Sequence, residues 1–265
     1  MTTINEINAA YSKEYCDFLE ATYGANMLSE GGAEAIDNMF AGIDLTNKKL
    51  LEIGSGLGGT AFHLANQHDC HITGLEINPG MTREAQARIP AALTEKIAFA
   101  CYSTPNLAFD DHHFDIVYSK GVLTHVEDKA PLFKEIYRVL KTDGYFIVDD
   151  WLSPTSGQWG PLITRMCETE NLALYANTES EYKALLHTTG FFGINMRSEN
   201  INYERYNREI VAHLTDGTIS QTFEAQFGET DYQLAVKNYG LITDAIKNDE
   251  LLIRWFKAQK SINRN

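Results

Sequence analysis

The chain has 265 residues, 44% of them apolar, enough for one large α/β domain with a cap and a core of matching size. Thirty-six acidic against 22 basic residues give a formal charge of −14, which argues against a long phosphate-tracking surface and so against nucleic acid as substrate. The four cysteines, Cys16, Cys70, Cys101 and Cys167, form no C-x-x-C pair, the first residues lack the regions of a signal peptide, and no apolar run reaches membrane-spanning length, which together predict a soluble, cytoplasmic protein with reduced thiols.

In chain order, Asn5 to Ala21 and Gly31 to Phe40 carry apolar side chains at three- and four-residue spacings, which predicts two helices ahead of the first strand, lying over a ligand crevice. From Lys48 the pattern alternates. Strands are expected at Lys49 to Ile53, His71 to Glu76, Ile97 to Tyr102 and Phe114 to Ser119, with helices at Thr60 to Gln67 and Pro79 to Arg88. An amphipathic helix follows at Lys129 to Leu140, with Lys141-Thr142-Asp143-Gly144 as its stop and Gly144 as its C-cap. Tyr145 to Asp150 reads as the fifth strand, Glu179 to His187 as a helix and Phe191 to Arg197 as a further strand. Asn200 to Asn248 is helical in pattern, and Leu251 to Lys257 returns to strand-like composition. The expected fold is a doubly wound, mostly parallel, seven-stranded α/β sheet of Rossmann-like type. The expected organisation is N-terminal helices over 1–47, a cofactor-binding core over 48–199, a helical cap over 200–250 and the last strand over 251–265.

The densest signal is Leu50-Leu51-Glu52-Ile53-Gly54-Ser55-Gly56-Leu57-Gly58-Gly59, a buried-strand pattern running into a glycine loop and then a helix. Gly54, Gly56 and Gly59 fit G-x-G-x-x-G, which taken alone is also the fingerprint of a dinucleotide dehydrogenase. Glu52 discriminates, because a carboxylate beside the loop repels a pyrophosphate and accepts hydrogen bonds from an ammonium group. Glu76, at the end of the second strand, stands where an acid reaches both ribose hydroxyls. An amino-acid ammonium plus an adenosyl ribose describes S-adenosylmethionine.

Over Lys48 to Asp150 the chain resembles the class I S-adenosylmethionine-dependent methyltransferases, through Glu52 to Gly59, Glu76, Phe114-Asp115 and Leu140-Lys141-x-x-Gly144. A narrower resemblance covers nearly the whole chain and is to the phosphoethanolamine N-methyltransferases of parasites and nematodes. It rests on Ala10-Tyr11-Ser12, Tyr23-Gly24-x-Asn26-x-Leu28-Ser29-x-Gly31-Gly32, the glycine loop, Leu123-Thr124-His125 and Phe256-Lys257-Ala258. That resemblance implies that Tyr11 and His125 form a hydrogen-bonded catalytic pair over the amine, a role suited to a phenol and an imidazole that accept or relay a proton. It also implies that Leu28 and Ser29 contact the methionine part of the cofactor and that Ile77 packs on the adenine. The family's adenine-binding aspartate is replaced by Ser103, with Thr104 next. Gly54, Ser55, Gly56 and Gly58, with Ser119 on the fourth strand, complete the expected cofactor contacts.

The family's phosphate-binding arginine and tyrosine align with Leu172 and Leu174, and its substrate lysine with Ile242. A small unphosphorylated amine is therefore the expected acceptor, with Tyr11, Trp151 and Trp159 as candidate aromatic faces and Arg165, Arg197 and the basic residues of the cap as those from which a phosphate site would have to be rebuilt. The remaining histidines show no metal-ligand spacing, so no metal is expected. The alternatives are O- or C-methylation of a small metabolite, since the cofactor domain is common to those chemistries, and a non-catalytic S-adenosylmethionine-binding protein. Tyr11 with His125 argues against the last. A nucleic-acid amino methyltransferase is expected to carry Pro-Pro-aromatic after the fourth strand, where this chain reads Tyr118-Ser119-Lys120-Gly121.

Overall fold

The computed structural model describes residues 11–102 and 106–261. Its strands are β1 (Lys49–Ile53), β2 (His71–Glu76), β3 (Ile97–Cys101), β4 (Phe114–Lys120), β5 (Leu140–Leu152), β6 (Phe191–Ser198) and β7 (Leu252–Lys260). Before β1 come α1 (Lys13–Tyr23) and α2 (Gly32–Phe40). Between strands lie α3 (Gly59–Gln67), α4 (Pro79–Ala87), α5 (Ala130–Val139), α6 (Pro161–Glu170), α7 (Glu179–Thr189), α8 (Asn200–Leu214), α9 (Gly217–Phe227) and α10 (Glu229–Lys247).

The strands form one seven-stranded sheet in the order β3-β2-β1-β4-β5-β7-β6. The first five are parallel, and β7 runs antiparallel to both β5 and β6. The chain leaves β1 toward β2 and β3, then crosses to β4 on the other side of β1. That reversal opens a crevice at the carboxyl ends of β1 and β4, where α/β sheets bind ligands.

Helices cover both faces, so the central strands are apolar on both sides. Leu50, Ile116 and Tyr118 point into a core shared with α2 and α3, through Ile36, Phe40 and Leu64. Leu51, Ile53 and Val117 point the other way, into a core with Phe133, Ile136 and Tyr182 of α5 and α7. A third core joins α6 to α8, α9 and α10 through Ile163, Tyr206, Phe223 and Ile242.

Three local expectations are corrected. Residue 140 begins β5 and does not end the preceding helix, since Leu140 has extended backbone angles. Gly144 is no C-cap: the positive φ of that turn belongs to Asp143, and glycine is needed next because a Cβ there would stand 2.8 Å from the Asp115 carbonyl oxygen. Helix α6 was not expected, because its sequence, PLITRMCETE, mixes polar and apolar residues in the manner of a loop. Pro161 in its first turn and the buried pair Ile163 and Met166 are the signals for it. The described part of the first predicted helix is α1, with Ser12 as its cap; the rest of that expectation lies outside the described residues.

Candidate active site

The crevice widens into a cavity of about 900 Å³, within the range of small-molecule sites. Its floor is the turn after β1. Gly54 N and Ser55 N both donate to Leu75 O, at 2.8 and 2.9 Å, which ties the loop to β2. At Gly54, φ is +76° and a Cβ would lie 2.4 Å from Val122 Cγ2, so only glycine lets the loop close on the segment after β4.

Two buried carboxylates face this space. Glu76 Oε2 accepts from Gly56 N and Oε1 from Asn78 N, each at 2.9 Å, so the acid is set by backbone before it meets a ligand. Burial raises its pKa, against the pull of those N–H groups. Glu52 is 3% exposed, and its Oε2 has no hydrogen-bond partner. Burial pushes its carboxyl up to about 8. Ser55 Oγ is also buried and unpartnered beside it in the cavity wall. Unpartnered buried polar atoms are costly, and a bound ligand carrying donors is the physical remedy.

Opposite, the Tyr11 hydroxyl stands 3.3 Å from His125 Nε2, with the rings edge to face at 5.9 Å between centroids. Tyr11 immediately precedes the cap of α1, and its carbonyl oxygen accepts from Asn78 Nδ2 at 3.3 Å. His125 ends a short 3₁₀ turn, Leu123–His125, after β4. Burial, and then the charge of Lys129, push the imidazole down to about 4, while burial and the nearby Glu76 raise the phenol above its ordinary range. At neutral pH both rings are therefore uncharged, and the imidazole tautomer sets which of them donates. Behind it, Lys129 Nζ donates to Asn177 Oδ1 at 2.6 Å and to Val126 O at 2.8 Å, and Tyr175 N donates to Thr124 O at 2.8 Å. These bonds seat the segment 171–177 against the histidine.

The cavity wall brings together Tyr11, Leu28, Ser29, Glu52, Gly54, Ser55, Gly56, Glu76, Ile77 and His125. Other expected residues stand elsewhere. Ser119 is fully buried and donates to Ile53 O at 3.0 Å, on the sheet face opposite Glu52. At Gly58 a Cβ would strike the rings of Phe99 and Phe62, so this glycine serves core packing. Trp151 packs on the cap core and does not line the cavity, and Trp159 Nε1 is committed to Leu174 O at 2.9 Å. Arg197 is bonded to Glu199 and to Asn38 O and stacks 3.8 Å from the Trp255 ring, which removes it from any phosphate site. Leu172 does line the cavity, whereas Leu174 packs against the cap core and Ile242 is buried in it. Ser103 and Thr104 lie outside the described residues. Sequence reasoning missed Lys120, Tyr102, Asn171 and Tyr175, all in the wall. Of these only Lys120, a cation ending an otherwise buried strand, carried a readable signal.

The strand order, the crevice at the β1/β4 reversal and the two acids beside a glycine loop define an α/β protein that binds an adenosyl-type ligand. Residues 51–148 match the family described as a methyltransferase domain. The chain is 28% identical to a phosphoethanolamine N-methyltransferase of Plasmodium falciparum over 187 residues, 69% of each protein. It is 32% identical to an uncharacterized protein of Haemophilus influenzae over 175 residues, 64% of this chain and 69% of the other. A solved structure of Haemonchus contortus phosphoethanolamine N-methyltransferase 2 in complex with S-adenosyl-L-methionine superposes with a TM-score of 0.88 at 21% identity, over 99% of this chain and 61% of that one. The chain thus spans under two thirds of that solved protein. It belongs to the class I S-adenosylmethionine-dependent methyltransferases, and the seven-stranded sheet with its antiparallel β7 is their fold.

Proposed function

We propose that this methyltransferase N-methylates a small unphosphorylated amine, with Tyr11 and His125 as the residues that handle the acceptor. The carrying observation is the Tyr11–His125 contact at 3.3 Å in the wall of a cavity that also presents Glu52 and Glu76.

The residues present fit the cofactor. Glu52 Oε2, buried and unpartnered, is a place for the methionine ammonium, and Glu76, oriented by Gly56 and Asn78, is a place for the ribose hydroxyls. Leu28, Ser29, Gly54, Ser55, Gly56 and Ile77 would enclose it. When bound, S-adenosylmethionine supplies an electrophilic sulfonium methyl.

A protonated amine has no lone pair to attack it. An imidazole held near 4 is a poor base toward an alkylammonium near 10, a gap of about 6 pKa units or roughly 8 kcal/mol. The pair therefore works by receiving the neutral amine. With the imidazole proton on Nδ1, Tyr11 donates its O–H to His125 Nε2, which leaves the phenol oxygen free to accept an amine N–H and to hold the nitrogen lone pair in line for attack. The methylated nitrogen leaves as an ammonium and loses its proton to solvent, since the imidazole that is too weak a base for the incoming ammonium is too weak for the product as well.

The wall carries four acidic side chains, Glu52, Glu76, Glu127 and Asp128, against one ammonium, Lys120, among the described residues. That balance supports an amine and disfavours a phosphate. All four cysteines are free thiols, which supports a reducing compartment such as the cytoplasm. No helix among the described residues is long and apolar enough to cross a membrane. Methyl transfer measured by mass spectrometry across amines, amino acids and phosphoamines tests the proposal, and methylation of oxygen or carbon acceptors alone would overturn it.

A further inference from the structure

Lys120 is the one ammonium among the described residues of the cavity wall, and it is held in a fixed place. It is 9% exposed; Nζ donates to Ser29 Oγ at 2.7 Å and to Glu30 O at 2.9 Å, and it lies 5.8 Å from the centre of the Tyr203 ring. An ammonium has three N–H donors, so one remains. Burial lowers the pKa of this lysine, while Asp149, Glu30 and Glu52 act to raise it.

Strand register aims it. Glu52 pairs with Tyr118, and Lys120 is two residues further along β4. Alternate residues share a face, so Glu52 and Lys120 project from the same side of the sheet, about 7 Å apart along the strand direction. The N-terminal segment closes on the same spot, since a Cβ on Gly56 would stand 2.9 Å from Leu28 Cδ1. A ligand seated here meets a carboxylate and an ammonium side by side, the complement of a zwitterion.

We infer that Lys120, aimed by Ser29, binds the carboxylate of the methionine part of S-adenosylmethionine while Glu52 binds its ammonium. This rests on the cofactor placement proposed above. The lysine secures one end of the amino-acid part, which fixes the direction of the sulfonium methyl. It also explains why Lys120 is not available to an anionic acceptor.

Three ligands dissect the claim. S-adenosylhomocysteine carries both amino-acid charges, decarboxylated S-adenosylmethionine keeps the ammonium without the carboxylate, and 5′-methylthioadenosine has neither. In calorimetric titrations of the full chain, Lys120→Met is expected to weaken S-adenosylhomocysteine about 10- to 100-fold, the range for losing a charged hydrogen bond. The other two ligands are expected to bind as before, which also shows that the variant is folded. Lys120→Arg should recover much of the loss. Equal weakening of all three ligands would mark a merely structural lysine and overturn the inference. So would unchanged S-adenosylhomocysteine affinity with a raised KM for the acceptor. Failure of the cofactor placement itself reads differently: Glu76→Ala would then leave all three affinities unchanged in an otherwise normal protein.

Discussion

Glu52 and Glu76 belong to adjacent parallel strands and face one cavity, yet only Glu76 has both oxygens engaged by backbone N–H groups, while Glu52 Oε2 has no partner. The difference assigns them different tasks. A carboxylate set by the backbone suits neutral hydroxyls, and one with an unpartnered oxygen suits an incoming cation.

Because burial pushes Glu52 up to about 8, it is protonated at neutral pH in the ligand-free protein, whereas an ammonium ligand requires its anion. Binding S-adenosylhomocysteine at pH 7 should therefore release a proton, and release should fade above pH 9. Calorimetry in two buffers of different ionisation enthalpy measures it, and Glu52→Gln should abolish it. The sign for folding follows from the same shift. A carboxyl raised from 4.5 to about 8 holds its proton more tightly in the folded chain, so its contribution to stability is full below about 4.5 and is lost as pH rises through 8.

Glu76→Ala should weaken cofactor binding by about 1–3 kcal/mol, the cost of losing charge-assisted hydrogen bonds to the ribose. It also removes the acceptor for Gly56 N and Asn78 N, so part of the loss comes from a looser glycine loop. Glu76→Gln keeps one acceptor oxygen and should fall between wild type and alanine. Wild-type affinity in the alanine variant would remove the residue from the site.

Much of this was legible in the sequence because it is local. Apolar runs such as Ile116 to Tyr118 are what a strand buried on both faces requires, and glycines beside an acid mark the ligand turn whatever surrounds them. What was not legible depends on distant partners. The Trp151 ring is drawn into the cap core by helices far along the chain. Ser119 faces away from the ligand because of strand register, which places Glu52 opposite Tyr118. Helix α6 has only Ile163 and Met166 buried, and much of its packing is against α10, some seventy positions later, so its short apolar stripe is a weak signal in the sequence. Lys120 went unassigned because its meaning comes from Ser29 and Glu30, some ninety positions earlier.

The acceptor pair makes a kinetic prediction. With His125 near 4, kcat/KM should show no inflection near 6.5 and should instead climb about tenfold per pH unit toward the pKa of the amine, because only the neutral amine is received. Imidazole resonances of His125 followed by NMR should not titrate between pH 8 and 5.5. Tyr11→Phe and His125→Ala should each cost about 10²-fold or more in kcat, and the double variant little beyond the worse single one, since groups acting as a unit lose activity non-additively. Wild-type turnover in both single variants would remove the pair from the mechanism.

The substrate prediction turns on Leu172. A phosphate dianion in a cleft needs charged donors, because its desolvation otherwise goes uncompensated. Leu172 lines the cavity and offers neither charge nor hydrogen bond, Ile242 is sealed in the cap core, and Arg197 is spent on Glu199, Asn38 and Trp255. Among the described residues the remaining cation of the wall is Lys120, whose one N–H beyond those to Ser29 and Glu30 is assigned above to the cofactor carboxylate. The acidic side chains of the same wall, Glu127 and Asp128 among them, give the phosphate no positive charge to pair with. Wild-type enzyme should accordingly turn over an unphosphorylated amine at least about tenfold faster than phosphoethanolamine, since a single unmatched charge costs more than the 1.4 kcal/mol that tenfold represents. Leu172→Arg, which returns a guanidinium to the wall, should narrow that gap by lowering KM for phosphoethanolamine with little change for the neutral competitor. Efficient methylation of phosphoethanolamine by the wild type, with no unphosphorylated amine turned over under the same conditions, would show that the phosphate is bound by groups other than those facing this cavity.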